Sequence, residues 1–216
     1  MTRRRADTFA LILRQRHALA DLLESLSDAE WEAPSLCAGW SVGDVAAHCI
    51  QSHVASPWRL AGEFLTAGFR LDARNERWVK TRRGRSKPTV LAEYRATADR
   101  MRIPASEAPY ALVEAVVHGY DIARPLHKHL PVPPEALVLV TETCCNTGLF
   151  LHSKQRATGL DLHAADIPWS KGRGPRITGP LASIILAINS RPTALTDLSG
   201  PGLPILRSRL LPPGTV

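Results

Sequence analysis

Residues 112–126 read LVEAVVHGYDIARPL, and this run decides the fold. It is rich in Val, Leu and Ala, opened upstream by Pro109 and stopped by Pro125, the grammar of a helix built for a core. Three polar residues interrupt it: Glu114, His118 and Asp121. Residues four apart on an α-helix share a face, one turn from each other. Glu114 and His118 therefore project the same way, and Ala111 and Ala115 beside them leave room between helices.

A Glu-x-x-x-His pair supplies half of a metal site, so the missing ligand has to come from another element. Two histidines on an earlier helix qualify. His48 lies on the side carrying Val45, Cys49 and Ser52, which is expected to face the core. His53, five residues on, sits roughly 140° further round the helix, so both rings do not easily meet one ion. His48 is the better placed of the two. Two imidazoles and a carboxylate, with one position left open, form the donor set of a catalytic zinc site. Asp44, one turn before His48, and Asp121, beside His118, are expected to accept hydrogen bonds from the ring N–H groups.

Outward from this helix, the first 150 residues read as a helix bundle with at least one long crossover. Residues 7–26 carry Phe9, Ile12, Leu13, Leu19, Leu22, Leu23 and Leu26 on one stripe. Ser27 and Glu30 have capping-box spacing, and Ser41 caps the helix that carries His48, with Asp44 at its third position. That helix is expected to end or kink at Pro57. Pro88 opens another helix, which Pro104 closes. A fifth is expected over about 134–152, with Leu137, Val140, Cys144, Gly148 and Leu151 on one side.

The grammar then changes. GLDLHAADI alternates as a strand does, GPRITG is a second strand between glycines, and LASIILAIN is a helix opened by Pro180. The expected fold is α+β and mainly α, with a four-helix bundle over 1–155 and a small α+β domain over 156–216.

Composition bounds the partners. The formal net charge is +7, and residues 70–87 hold eight Lys/Arg against Asp72 and Glu76. Nearly all the excess thus falls in one segment, expected to be an exposed loop. It contains Trp78 and no interleaved aromatics for base stacking, so nucleic-acid binding is not expected, and steering of an anionic substrate is the better use. No apolar run approaches the roughly 18 residues of a membrane span, and the N-terminal apolar patch is too soon charged for a signal peptide. Cys37, Cys49, Cys144 and Cys145 show no disulfide or CxxC framework; they read as small buried hydrophobes and indicate a reducing, cytoplasmic compartment. Trp40 and Trp169 are expected to pack rather than to bind substrate.

Three blocks carry a family resemblance. WEAPSLCAGWSVGDVAAH (31–48), EAVVHGYDIARPL (114–126) and the C-terminal AADIPWSKGRGPRITGP with SRPTALTDLSG resemble the DinB-like superfamily. Within it they look most like the mycothiol-dependent maleylpyruvate isomerase-like branch. The resemblance implies a bundle binding a divalent metal, usually zinc, through positions matching His48, Glu114 and His118, the three reached from spacing. It also implies mycothiol as thiol cosubstrate and a small electrophile as its partner, with S-transfer and cis–trans isomerisation both open. An arginine of the C-terminal block has a catalytic role in the isomerase, and Arg191 is the match, although Ser190 stands where the branch often has Gly. A non-catalytic DinB-like metal-binding or interaction module is the alternative. The sequence leaves monomer and homodimer open.

Overall fold

The computed structural model describes residues 3–54, 71–100, 103–104, 106–147 and 152–210, with side chains described from residue 7 except at 52–54 and 71–74. Pro57, Gly148, Leu151 and the side chain of His53 lie outside the described residues. The chain divides into two compact units, Met1–Pro131 and Val132–Val216.

Among the described residues, the first unit is built on four long helices: α1 (Arg3–Ser25), α3 (Val42–Val54), α5 (Lys87–Ala98) and α6 (Ala108–Ala123). Helix α1 packs on α5 and α6, and α3 packs on the same two, so the four close into a bundle. Ile12, Leu19, Leu22, Leu23 and Leu26 bury the predicted stripe of α1, while Phe9 and Leu13 are half-buried at its edge. On α6 the apolar run is buried from Leu112 through Ile122, with Glu114 and His118 only partly covered.

Short devices fix the helix entries. Helix α2 (Asp28–Glu32) begins with a capping box: the Glu30 amide donates to Ser27 Oγ, and the Ser27 amide donates to Glu30 Oε2 at 2.8 Å. The start of α3 repeats the pattern, Asp44 N–H donating to Ser41 Oγ and Ser41 N–H to Asp44 Oδ2. The Ser27 backbone and the Lys128 ammonium hold the Glu30 carboxyl down at about 2, from a usual 4.5. A carboxylate depressed in the folded state stabilises above its unfolded pKa, and the contribution is lost as pH falls through the folded one. Acid titration of stability between pH 4.5 and about 2 should therefore be shallower in Glu30→Gln than in the wild type. Identical acid profiles would show that the box contributes nothing.

The basic segment departs from the expected loop. Residues 71–80 form helix α4 (Leu71–Lys80), which packs on α3. Trp78 and Val79 are buried, and the Trp78 indole N–H donates to Ala47 O at 3.0 Å. The Arg82 guanidinium lies 3.4 Å over that indole, Arg82 and Arg85 pair with Glu93, and Arg83 pairs with Asp44. The charge density hid an apolar pair strong enough to dock a helix.

The second unit starts earlier than the expected boundary at 155/156. Helix α7 (Pro134–Asn146), expected as a fifth member of the bundle, belongs here, packing on α8 (Ser153–Ala157) and α9 (Leu181–Ile188). Its buried stripe of Leu137, Val140 and Cys144 is as predicted; an apolar stripe specifies burial but not the partner. The sheet has order β2-β1-β3, with β1 (Asp161–Ala164) antiparallel to β2 (Ser170–Gly172) and parallel to β3 (Arg176–Gly179). Leu162 and Ile177 lie opposite each other, both buried. Strands β1 and β3 occupy the expected stretches; β2 is too short to show a period. A 3₁₀ helix (Pro192–Asp197) and α10 (Leu203–Ser208) follow α9.

Just past α9, Ser190 has φ +70°, the left-handed position where helices usually place Gly. This explains physically why Gly suits that site. Ser190→Gly should raise stability by about 0.5–1 kcal/mol, read as a higher urea midpoint. A lower midpoint would mean that the serine side chain is needed.

Candidate metal centre

Helices α3 and α6 bring His48, Glu114 and His118 together. One ligand atom from each lies within 4.8 Å of the others. His48 Nε2 and Glu114 Oε1 are 3.7 Å apart. That is long for a hydrogen bond, but close to the roughly 3.3 Å separating two ligands each about 2.0–2.1 Å from a tetrahedral ion. The two imidazole rings are 4.8 Å apart at 86°, nearly edge to face. Two neutral imidazoles and one carboxylate are a borderline-soft set that suits zinc. The residues fit the ion.

Behind His118 stands Asp121, whose side chain is fully buried. His118 Nδ1 and Asp121 Oδ2 are 2.9 Å apart. The carboxylate accepts a hydrogen bond from Nδ1–H, which leaves Nε2 as the lone-pair donor toward Glu114 and His48. Burial alone would lower the His118 pKa. The hydrogen bonds to Asp121 and Cys37 outweigh it and raise the ring to about 10, so its environment favours added positive charge.

Asp44 does not take the matching role at His48. Its carboxylate is held by the Ser41 amide and by Arg83, at 3.0 Å from Nη2. A residue in the first helical turn is committed to capping that turn, and the arginine from the basic segment takes both oxygens, Nη2 donating to Oδ2 and Nε to Oδ1 at 3.4 Å. Beside His48 stands Trp40, its ring centroid 5.2 Å away at 61°, with its indole N–H donating to Glu76 Oε2 at 2.9 Å. Trp40 thus packs as expected, and the ring it packs on is that of a candidate ligand.

Cys37 departs from the expected buried hydrophobe. It is half-buried, with Sγ 3.1 Å from Asp121 Oδ2 and 3.8 Å from His118 Nδ1. Its place inside the 31–48 block, in the loop before the ligand helix, was the available signal. Cys49 and Cys144 are buried as expected, and Asn189 Nδ2 donates to the Cys144 sulfur. Arg191 lies in the second unit at the N-cap of the 3₁₀ helix, where Nη1 donates to Asn189 O at 2.5 Å. In the same unit, Trp169 donates to Glu142 Oε1 at 3.0 Å.

Residues 12–111 match the family model of the mycothiol maleylpyruvate isomerase N-terminal domain. The match lies within the N-terminal bundle and spans less than half of the chain. Two solved structures share the fold over most of the chain: crystal structures of the mycothiol-dependent maleylpyruvate isomerase, unmodified and as a histidine-to-alanine mutant. Each is 16% identical with a TM-score of 0.64, covering 91% of this chain and 92% of the other. At that identity the likeness is one of fold. No curated protein matches the sequence. The family model ends at residue 111, just before Glu114, His118 and Asp121, so the chain's own geometry carries the site.

Proposed function

We propose that the chain is a metal-dependent enzyme that uses mycothiol as a sulfur nucleophile, for S-transfer to a small electrophile or for its cis–trans isomerisation. The observation that carries this reading is the convergence of His48, Glu114 and His118, backed by Asp121, within the bundle. The shared fold of an enzyme described as a mycothiol-dependent maleylpyruvate isomerase supports the choice of thiol. The four cysteines are all free, which fits the reducing cytoplasm. Among the described residues no helix is long and apolar enough to cross a membrane.

His48, Glu114 and His118 would hold the cation, most simply zinc. A divalent ion there supplies Lewis acidity that converts a thiol of pKa about 8.5 into thiolate at neutral pH. Asp121 keeps the Nδ1 proton of His118 away from the reacting side of the ring. Glu114 contributes the set's single negative charge, so a bound dication keeps net positive charge toward an anionic sulfur. Attack of that sulfur on a cis-alkene diacid would turn the double bond into a single bond. Rotation and elimination of the sulfur then give the trans isomer, with the thiol returned. Arg191 would pair with a substrate carboxylate or with the polar body of the thiol.

The test is turnover of maleylpyruvate by the purified chain with mycothiol. Activity should require both the divalent metal and the thiol. Arg191→Ala should lower kcat/KM about ten- to a hundredfold, the value of one charge-assisted hydrogen bond. Turnover that needs neither metal nor thiol would overturn the mechanism, and an unaffected Arg191→Ala would remove that residue from it.

A further inference from the structure

Cys37 is a nucleophilic side chain beside the candidate metal centre that the proposed chemistry leaves unused. Its placement is built rather than incidental. Ser35 N–H donates to Trp40 O at 3.0 Å, Trp40 N–H to Cys37 O at 3.0 Å, and Cys37 N–H to Ser35 Oγ at 3.1 Å, which closes the loop on itself. The loop is then tied to α6 through one residue. Leu36 N–H donates to the Asp121 main-chain oxygen at 3.1 Å, and the Cys37 thiol donates to Asp121 Oδ2. Oδ2 is also the oxygen that holds His118 Nδ1. Thiol and imidazole thus share one acceptor on a carboxylate buried away from water.

We propose that Cys37 is a positioning residue for the metal centre: its thiol, donating to Asp121 Oδ2, holds that carboxylate in the rotamer that orients His118 toward His48 and Glu114. This rests on the metal-binding reading above. Cys37 is not itself a ligand in this arrangement. Its sulfur is 3.1 Å and the His118 nitrogen 2.9 Å from Oδ2, hydrogen-bond separations shorter than the spread of atoms around a shared ion. The thiol is a weak donor, but a charged acceptor strengthens the bond, and a buried carboxylate that loses one of its donors is held less firmly in its rotamer. A serine hydroxyl can donate in the same direction; an alanine cannot.

The test is a double-mutant cycle on zinc affinity, measured by competition with a chromophoric chelator, in the full chain. Asp121→Asn should weaken zinc about 10- to 100-fold. Cys37→Ala should weaken it about 3- to 10-fold, the worth of one hydrogen bond, and Cys37→Ser should stay within about twofold of wild type. The combined Cys37→Ala/Asp121→Asn chain should be no weaker than Asp121→Asn alone, because the thiol acts through the carboxylate. Multiplying effects, or a Cys37→Ser as weak as Cys37→Ala, would overturn the proposal. So would a thiolate-to-cobalt charge-transfer band in the cobalt-loaded wild type, which would make Cys37 a ligand. The metal-free protein separates this from the reading beneath it. With ¹⁵N-histidine labelling, the protected His118 Nδ1–H signal should persist in Cys37→Ser and be lost in Cys37→Ala. A wild type that binds no zinc but shows this pattern would sink the metal centre and keep the positioning role. Equal signals in all three chains would sink the positioning role.

Discussion

Replacing His118 by alanine should weaken zinc binding by about a hundred- to a thousandfold while leaving the helical content of the chain unchanged. Structural zinc sites with four ligands are worth about 10–16 kcal/mol, so one ligand carries roughly 3–4 kcal/mol, or two to three decades in affinity. His118 should lie at the upper end. Its ring has a buried carboxylate 2.9 Å behind it, and alanine removes both the nitrogen donor and a partner of that carboxylate. The side chain is 17% exposed at the edge of the bundle core, so the fold does not depend on its volume. Metal content at one per chain in both wild type and variant would remove His118 from the site.

The largest effect on stability is expected at Arg16. This arginine is 2% exposed, in the core face of α1, an unusual place for a permanent charge. Its Nη1 donates to Ala98 O at 3.3 Å and Arg100 O at 3.1 Å. These carbonyls lie at the C-terminal end of α5, where a helix leaves oxygens without intrahelical donors. Burial lowers the Arg16 pKa, and the nearby Tyr94 and Glu114 partly oppose that shift. Arg16→Ala opens a cavity and strands two carbonyls, and should cost about 3–5 kcal/mol in urea unfolding. Arg16→Met restores the packing without the donors and should fall between alanine and wild type. A loss under about 1 kcal/mol would show that water replaces the guanidinium freely.

Much of this site was legible because its chemistry is local. Glu114, His118 and Asp121 lie within two turns of one helix, so period and spacing alone place them together. Both helix entries were equally readable, since a capping box spans only four residues. Contacts between distant segments were not. Cys37 meets Asp121 across 84 positions, and nothing in a loop cysteine announces that. Asp44 had the right spacing for His48, but a guanidinium 39 residues away outcompeted the ring. Residues 71–80 were obscured by their own charge, which masked Trp78 and Val79. The 134–146 helix was legible too, yet its stripe did not say that α9 would pack on it.

The central claim is that His48, Glu114 and His118 hold one divalent cation. X-ray absorption at the zinc edge of the chain loaded with one equivalent of zinc tests it most directly, because a second donor group, Cys37, His118 and Asp121, lies on the other side of the same ring. Zinc held by these three residues gives nitrogen and oxygen neighbours only, with scattering from two imidazole rings. A sulfur scatterer, or zinc left in its aqueous form, would contradict it.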